Sequence, residues 1–253
     1  MIEVSNLHVA YGNKTVLEDI TISLSSGSCY GILGANGSGK TSFFNCLANL
    51  IKPAKGTIKI NSLDYLSNPL IINKSFGLMS DSNPLIDEFS AKQYLEFVGL
   101  LRNMPQKDFS ERRDSLMSFF FADVTILDKK INSFSTGMRK KLAFCAAVIH
   151  QPKVLVLDEP FSGLDIVAAE KMISFLQFYM SSHRTILISS HDLGYLEKIV
   201  SDVIVFKDRK IAFQGRLNEF TSNGKDLIGD MLYKLIVSND EKKLGSDFNW
   251  LKE

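Results

Sequence analysis

Gly34-Ala35-Asn36-Gly37-Ser38-Gly39-Lys40-Thr41 reads G-x-x-x-x-G-K-[ST], and each fixed position has a chemical task. Glycine reaches backbone angles closed to other residues, so successive N–H groups can turn toward one anion. Gly34, Asn36, Gly37, Ser38 and Gly39 are the candidate amide cradle for a phosphate, and Ser42 follows at the head of the next element. Lys40 brings a cation to the β- and γ-phosphates of a nucleotide, and the Thr41 hydroxyl is a candidate Mg2+ ligand. A second chemical cluster is Asp158-Glu159, directly after the apolar run Val154-Leu155-Val156-Leu157. A strand buried on both faces exposes acids only at its end, which is where a ligand can meet them. Asp158 is the candidate Mg2+ partner, and Glu159 the candidate base for an attacking water. His191 follows a third apolar run, Ile186–Ile188, so its imidazole emerges at the same end, within reach of a γ-phosphate.

These groups need a scaffold, and the apolar pattern supplies one. Ile2–Val4, Leu7–Ala10 and Ile20–Leu24 read as short strands, with a turn at Tyr11–Lys14. Ser28–Leu33 is a strand running into the glycine-rich loop. Thr41–Ile51 has helical spacing and stops before Pro53, and Gly56–Ile60 alternates like a strand. From Asn83 to Phe121 the pattern is helical, with one face at Tyr94, Leu95, Val98 and Leu101 and another at Leu116, Phe119 and Phe120. Leu142–Ile149 and Ala168–Met180 read as helices, and Val154–Leu157, Ile186–Ile188 and Val203–Phe206 as strands. Strands alternating with helices imply an α/β fold around a mostly parallel sheet, preceded by an N-terminal antiparallel part and interrupted by a helical insertion. Leu227, Met231, Leu232 and Leu235 mark an amphipathic face in the tail, and Gly245–Glu253 carries no clear pattern.

Composition narrows the classes. The 253 residues carry 29 Lys and Arg against 28 Asp and Glu, a formal net charge of +1. That balance points away from a nucleic-acid binder driven by bulk charge. No apolar run reaches the ~18 residues that span a bilayer, and no signal peptide is expected at the start. Cys29, Cys46 and Cys145 show no metal-knuckle spacing, which fits a reducing, cytoplasmic setting.

One ordered set of motifs identifies a family. Phe134-Ser135-Thr136-Gly137-Met138, then Ser162-Gly163-Leu164-Asp165 and His191, together with the phosphate loop and Asp158, resemble the nucleotide-binding subunit of ABC transporters over about residues 1–215. The resemblance implies a P-loop NTPase core, a helical subdomain near 83–144, and a short extension over 216–253. It implies an ATPase using ATP and Mg2+ and working as a head-to-tail pair of cassettes, two copies of this chain being expected. Ser135 and Gly137 of one copy would meet the γ-phosphate held by the other. Tyr11 falls where the family stacks an aromatic ring on adenine, and Asp165 where it communicates across the pair. Two positions depart from the usual pattern. Phe134, Thr136 and Met138 replace three of the five residues of Leu-Ser-Gly-Gly-Gln, and Asp81 stands where the family's Q-loop has glutamine. Asp81 can still meet Mg2+ or water, through charge rather than an amide. The resemblance further implies an integral membrane permease as partner, docking near Asp81 and the insertion and holding this chain at the inner face of the cell membrane. Phe89, Tyr94 and Phe97 are expected in the insertion's core rather than in that docking groove. The Ser-Thr-Gly-Met signature looks most like exporter systems. A soluble ATPase of the same family, serving cytoplasmic machinery, is the alternative.

Overall fold

The structure, a computed structural model, describes residues 1–82 and 84–237. β1 (Ile2–Tyr11) and β2 (Lys14–Leu24) pair antiparallel. The sequence suggests two short strands over β1 because its apolar residues change phase between Val4 and Leu7. The structure has one strand: Asn6 takes φ 48°, the register shifts there, and this bulge returns Leu7 and Val9 to the buried face. Asp19, at φ 55°, is a second left-handed position, within β2, which begins earlier than its apolar half suggests.

β3 (Cys29–Gly34) leads through the glycine-rich loop into α1 (Lys40–Leu47). The expected helix extends to Ile51. It stops sooner because Asn49 turns left-handed at φ 56° and the N–H of Leu50 returns to the Asn45 carbonyl, leaving Leu50 exposed. β4 (Lys55–Ile60) and β5 (Leu63–Asp64) complete a four-stranded antiparallel sheet in the order β2-β1-β4-β5. α2 (Pro69–Ser75) and β6 (Phe76–Met79) follow, neither of them marked as an element by the apolar pattern.

The helical stretch holds α3 (Ala91–Leu101), α4 (Gln106–Phe120) and α5 (Thr136–Val148). Ser90 and Gln93 close a reciprocal cap at the start of α3. Leu95 is fully buried, but of the other residues expected on inward faces Leu101 is largely exposed and Phe119 is 40% exposed, both near their helix ends. After β7 (Val154–Asp158) come α6 (Ile166–Tyr179), β8 (Thr185–Ser189), α7 (Leu193–Glu197), β9 (Asp202–Lys207) and β10 (Lys210–Arg216). The main sheet runs β10-β9-β3-β8-β7-β6, parallel except for the β10 edge.

Alternation along the central strands explains why both faces of this sheet are covered. Val154 and Val156 pack toward the antiparallel sheet and α1, with Phe43 and Phe44. Leu155 and Leu157 pack on the other side, with residues of α5 and α6. Phe144 of α5 is fully buried there, its ring 5.3 Å from both Phe120 of α4 and Phe175 of α6. Truncating it opens a cavity where three helices meet. Phe144→Ala is expected to cost about 3–5 kcal/mol, lowering the thermal midpoint by roughly 10 °C in a calorimetric melt.

α8 (Leu217–Phe220) and α9 (Ile228–Ile236) end the described chain. Met231, Leu232 and Leu235 pack on the main core, as the amphipathic pattern suggests, but Leu227 is exposed and Ile228 takes the buried place. The remainder of the expected extension, 238–253, lies outside the described residues, as does Asn83. No helix among the described residues is long and apolar enough to cross a membrane.

Candidate active site

Three neighbouring parallel strands end together. In the order β3-β8-β7, Ile32 pairs with Ser189 and Ser189 with Asp158, so the loop after β3, the acids ending β7 and the segment after β8 share one edge. A cleft of about 840 Å³ opens there, lined by residues 36–42 of the loop, Asp81, Asp158, Glu159 and His191. That is the size of an ordinary small-ligand site.

The loop has its shape because glycines stand where nothing else fits. Gly39, the residue before α1, sits at φ 104°, and a Cβ there would lie 2.5 Å from Leu17 Cδ2. Gly34 sits at φ 146°, and a Cβ would meet the Phe206 carbonyl at 2.5 Å. The first N–H groups of α1 have no intrahelical acceptor, so they and the loop amides face the cleft as anion donors. Ser38 Oγ is buried with no hydrogen-bond partner among the described residues, a donor awaiting an acceptor. Lys40 Nζ donates to the carbonyls of Gly34 at 2.7 Å and Ala35 at 3.2 Å. Burial lowers the Lys40 pKa, against the opposing pull of Glu159 and Asp158.

Asp158 is buried, and both of its oxygens are engaged. Thr41 Oγ1 donates to Oδ2 at 2.7 Å, and Ser189 Oγ donates to Oδ1. A hydroxyl and a carboxylate this close are a suitable oxygen pair for Mg2+, the rest of its sphere coming from phosphate oxygens and water. Among the described residues, no group of three or more His, Cys, Asp or Glu is arranged so that it could hold a metal ion by itself. Glu159 takes the left-handed conformation, φ 51°, rare for a residue with a side chain. The Ser189 carbonyl and hydroxyl both accept from its N–H at 3.1 Å. Its Oε2 accepts the His191 N–H at 3.1 Å, while buried Oε1 has no hydrogen-bond partner among the described residues. His191 Nε2 stands 3.6 Å from Oε1 and is mostly exposed. The arrangement can hold a water between an unsatisfied carboxylate oxygen and a phosphate.

Other expected residues sit apart from this cleft. Ser135 caps α5 by accepting the Met138 N–H at 3.3 Å; it is exposed, and neither it nor Gly137 lines the cleft. Tyr11 is half exposed, its hydroxyl 3.3 Å from Ser42 Oγ, beside the cleft rather than in its lining. Asp165 caps α6 through the Ala168 N–H. The lining also includes Lys14 and Arg209, which the sequence did not single out. Lys14 is a basic residue just after a tight turn and Arg209 one within a turn, a signal too common to select them. Lys140, missed as well, donates to Asp81 Oδ1 at 3.2 Å and to the Glu159 carbonyl at 2.5 Å.

Comparison with known proteins gives the same assignment as this geometry. The family described as ABC transporter matches residues 17–162, and a shorter match to the AAA domain described as putative AbiEii toxin, Type IV TA system covers 128–197. The ABC transporter ATP-binding protein NatA of Bacillus subtilis is 29% identical over 87% of this chain and 90% of its own length. ABC transporter A family member 8 of Arabidopsis thaliana is 30% identical over 83% of this chain, which spans 23% of that longer protein. Among solved structures, an ATP-binding subunit of an ABC transporter superposes with a TM-score of 0.86 at 23% identity, over 93% of this chain and 99% of that one. The dimeric cassette MJ0796 superposes at 0.76 and 22%, over 86% and 99%. The family match takes in the phosphate loop and the acidic strand end alike, and the chain belongs to the ABC transporter family as one of its ATP-binding ATPase cassettes.

Proposed function

We propose that this chain hydrolyses ATP, with Mg2+, to drive a membrane-embedded permease, closing head to tail on a second copy of itself. One observation carries the reading: Thr41 Oγ1 lies 2.7 Å from Asp158 Oδ2 beside the buried, unsatisfied Oε1 of Glu159. The loop amides and Lys40 hold the triphosphate, and Tyr11 stacks on the base. Thr41 and Asp158 hold the metal, with Asp81 reaching it through water; when bound, the metal neutralises charge on the β- and γ-phosphates. Glu159 takes the proton of the attacking water, and His191 donates to the γ-phosphate.

Ser135 and Gly137 serve the partner's nucleotide. The exposure of Ser135, and the place of both residues outside their own cleft, support this, because a capping hydroxyl and the first amides of α5 form a second anion cradle. ATP then bridges two surfaces and favours the closed pair, and hydrolysis removes the bridge. In this reading the helices near 83–144 form the helical subdomain, and residues 1–215 the cassette. The permease docks in a groove lined by Leu78, Pro84, Leu85 and Tyr94 next to Ser80. Phe89 and Tyr94 also pack on the core, as expected, whereas Phe97, expected there too, is 39% exposed and lies edge-on to Phe89 at 6.0 Å. Docking there holds the chain at the inner face of the membrane, and the short Ser-Thr-Gly-Met signature supports export.

The pairing is tested in a Glu159→Gln background, where turnover does not consume the bridge. Light scattering with MgATP should report a dimer, and adding Ser135→Arg should return a monomer that still binds ATP. A dimer persisting with Ser135→Arg would remove Ser135 from the contact.

A further inference from the structure

Lys140 is a charged residue in the interior with no part in the scheme above. It lies on the second turn of α5, the helix capped by Ser135, and is 5% exposed. Burying an ammonium is unfavourable unless it is paired and hydrogen-bonded, so its contacts are specific. Its Nζ donates to the Asp81 carboxylate at 3.2 Å and to the Glu159 carbonyl at 2.5 Å. Asp81 follows β6 at the edge of the sheet, and Glu159 follows β7 beside it. One cation thus joins three segments.

The Glu159 contact matters because that peptide is strained. A left-handed residue with a side chain persists only where its surroundings over-determine it. Ser189 fixes the Glu159 N–H, and Lys140 fixes its carbonyl. Together they set the direction of the Glu159 side chain, which lines the cleft. We propose that Lys140 is a positioning residue for hydrolysis: it holds the Glu159 peptide in its left-handed turn and ties it, with Asp81, to the helix that begins at Ser135. A nucleotide that engages Ser135 from the partner then acts, through one rigid helix, on the carboxylate of this copy's own site. The proposal rests on Glu159 being the base.

The test uses the full chain at saturating MgATP. Lys140→Met fills the same space without donors and should lower kcat roughly 10- to 100-fold, the cost of a misplaced group, with ATP affinity unchanged by calorimetry. Lys140→Gln retains a donor for the carbonyl and should keep more of kcat, and it serves as the probe if Lys140→Met folds poorly. In the Glu159→Gln background, Lys140→Met should slow the residual rate no further. Parental kcat in Lys140→Met, equal losses in the Met and Gln variants, or an additive loss in the double variant each overturns the proposal. Parental turnover by Glu159→Gln alone overturns the assignment of the base instead, and the proposal with it.

Discussion

Glu159→Gln should bind ATP as the parent does and turn it over roughly 10²- to 10⁴-fold more slowly, the usual contribution of a positioned base. The substitution keeps the shape and an oxygen acceptor for the His191 N–H, which Oε2 accepts at 3.1 Å. It removes only the capacity to take a proton, at a buried oxygen that no described group satisfies. Binding is spared because the phosphate contacts come from the loop amides and Lys40. The unfavourable charge of a carboxylate beside a triphosphate also disappears, so the affinity should hold or rise. Because ATP bridges the pair, a variant that binds without cleaving should accumulate as the nucleotide-bound dimer. Single-turnover kinetics separates the chemical step from product release. Parental rates in that assay would remove Glu159 from proton transfer and move the search for a base to His191.

The fold's parallel core and most of the cleft could be read from the chain because both depend on local pattern. Val154–Leu157 is apolar at every position, as a strand covered on both faces requires, and its two faces do enter separate cores. The loop is legible for a similar reason: its glycines answer a backbone demand that no other residue meets. What escaped depends on contacts far apart in sequence. Lys140 sits in Arg139-Lys140-Lys141, three consecutive cations of which the local pattern marks none for burial; only the arrival of β6 and β7 makes the middle member a buried link. β6 is four residues long and too short for periodicity to mark, although it carries Asp81 to the cleft. The bulge at Asn6 conceals the continuity of β1, because one extra residue inverts an alternating pattern while leaving the strand intact.

Lys40→Ala should weaken nucleotide binding itself. The ammonium is partly buried at the mouth of the loop, where it donates to the Gly34 carbonyl at 2.7 Å and the Ala35 carbonyl at 3.2 Å. A triphosphate entering the cradle offers it charged acceptors in place of two neutral ones. Hydrogen bonds to charged groups are worth about 1.5–3 kcal/mol, so the dissociation constant should rise roughly 10- to 150-fold by calorimetry. The pH dependence gives a second, independent reading. Burial has lowered the Lys40 pKa in the free protein, with Glu159 and then Asp158 opposing the shift, and bound phosphates raise it by favouring the ammonium. Affinity is therefore complete below the free-protein value and falls as pH rises through it, beginning lower than for an ordinary exposed lysine. Lys40→Ala has no such proton to lose, so its weak binding should stay flat across the window in which the parental affinity declines. Equal affinities for the two proteins, or the same decline in both, would place the triphosphate's cation elsewhere, and Lys14 and Arg209, which line the same cleft, would be the residues to substitute next.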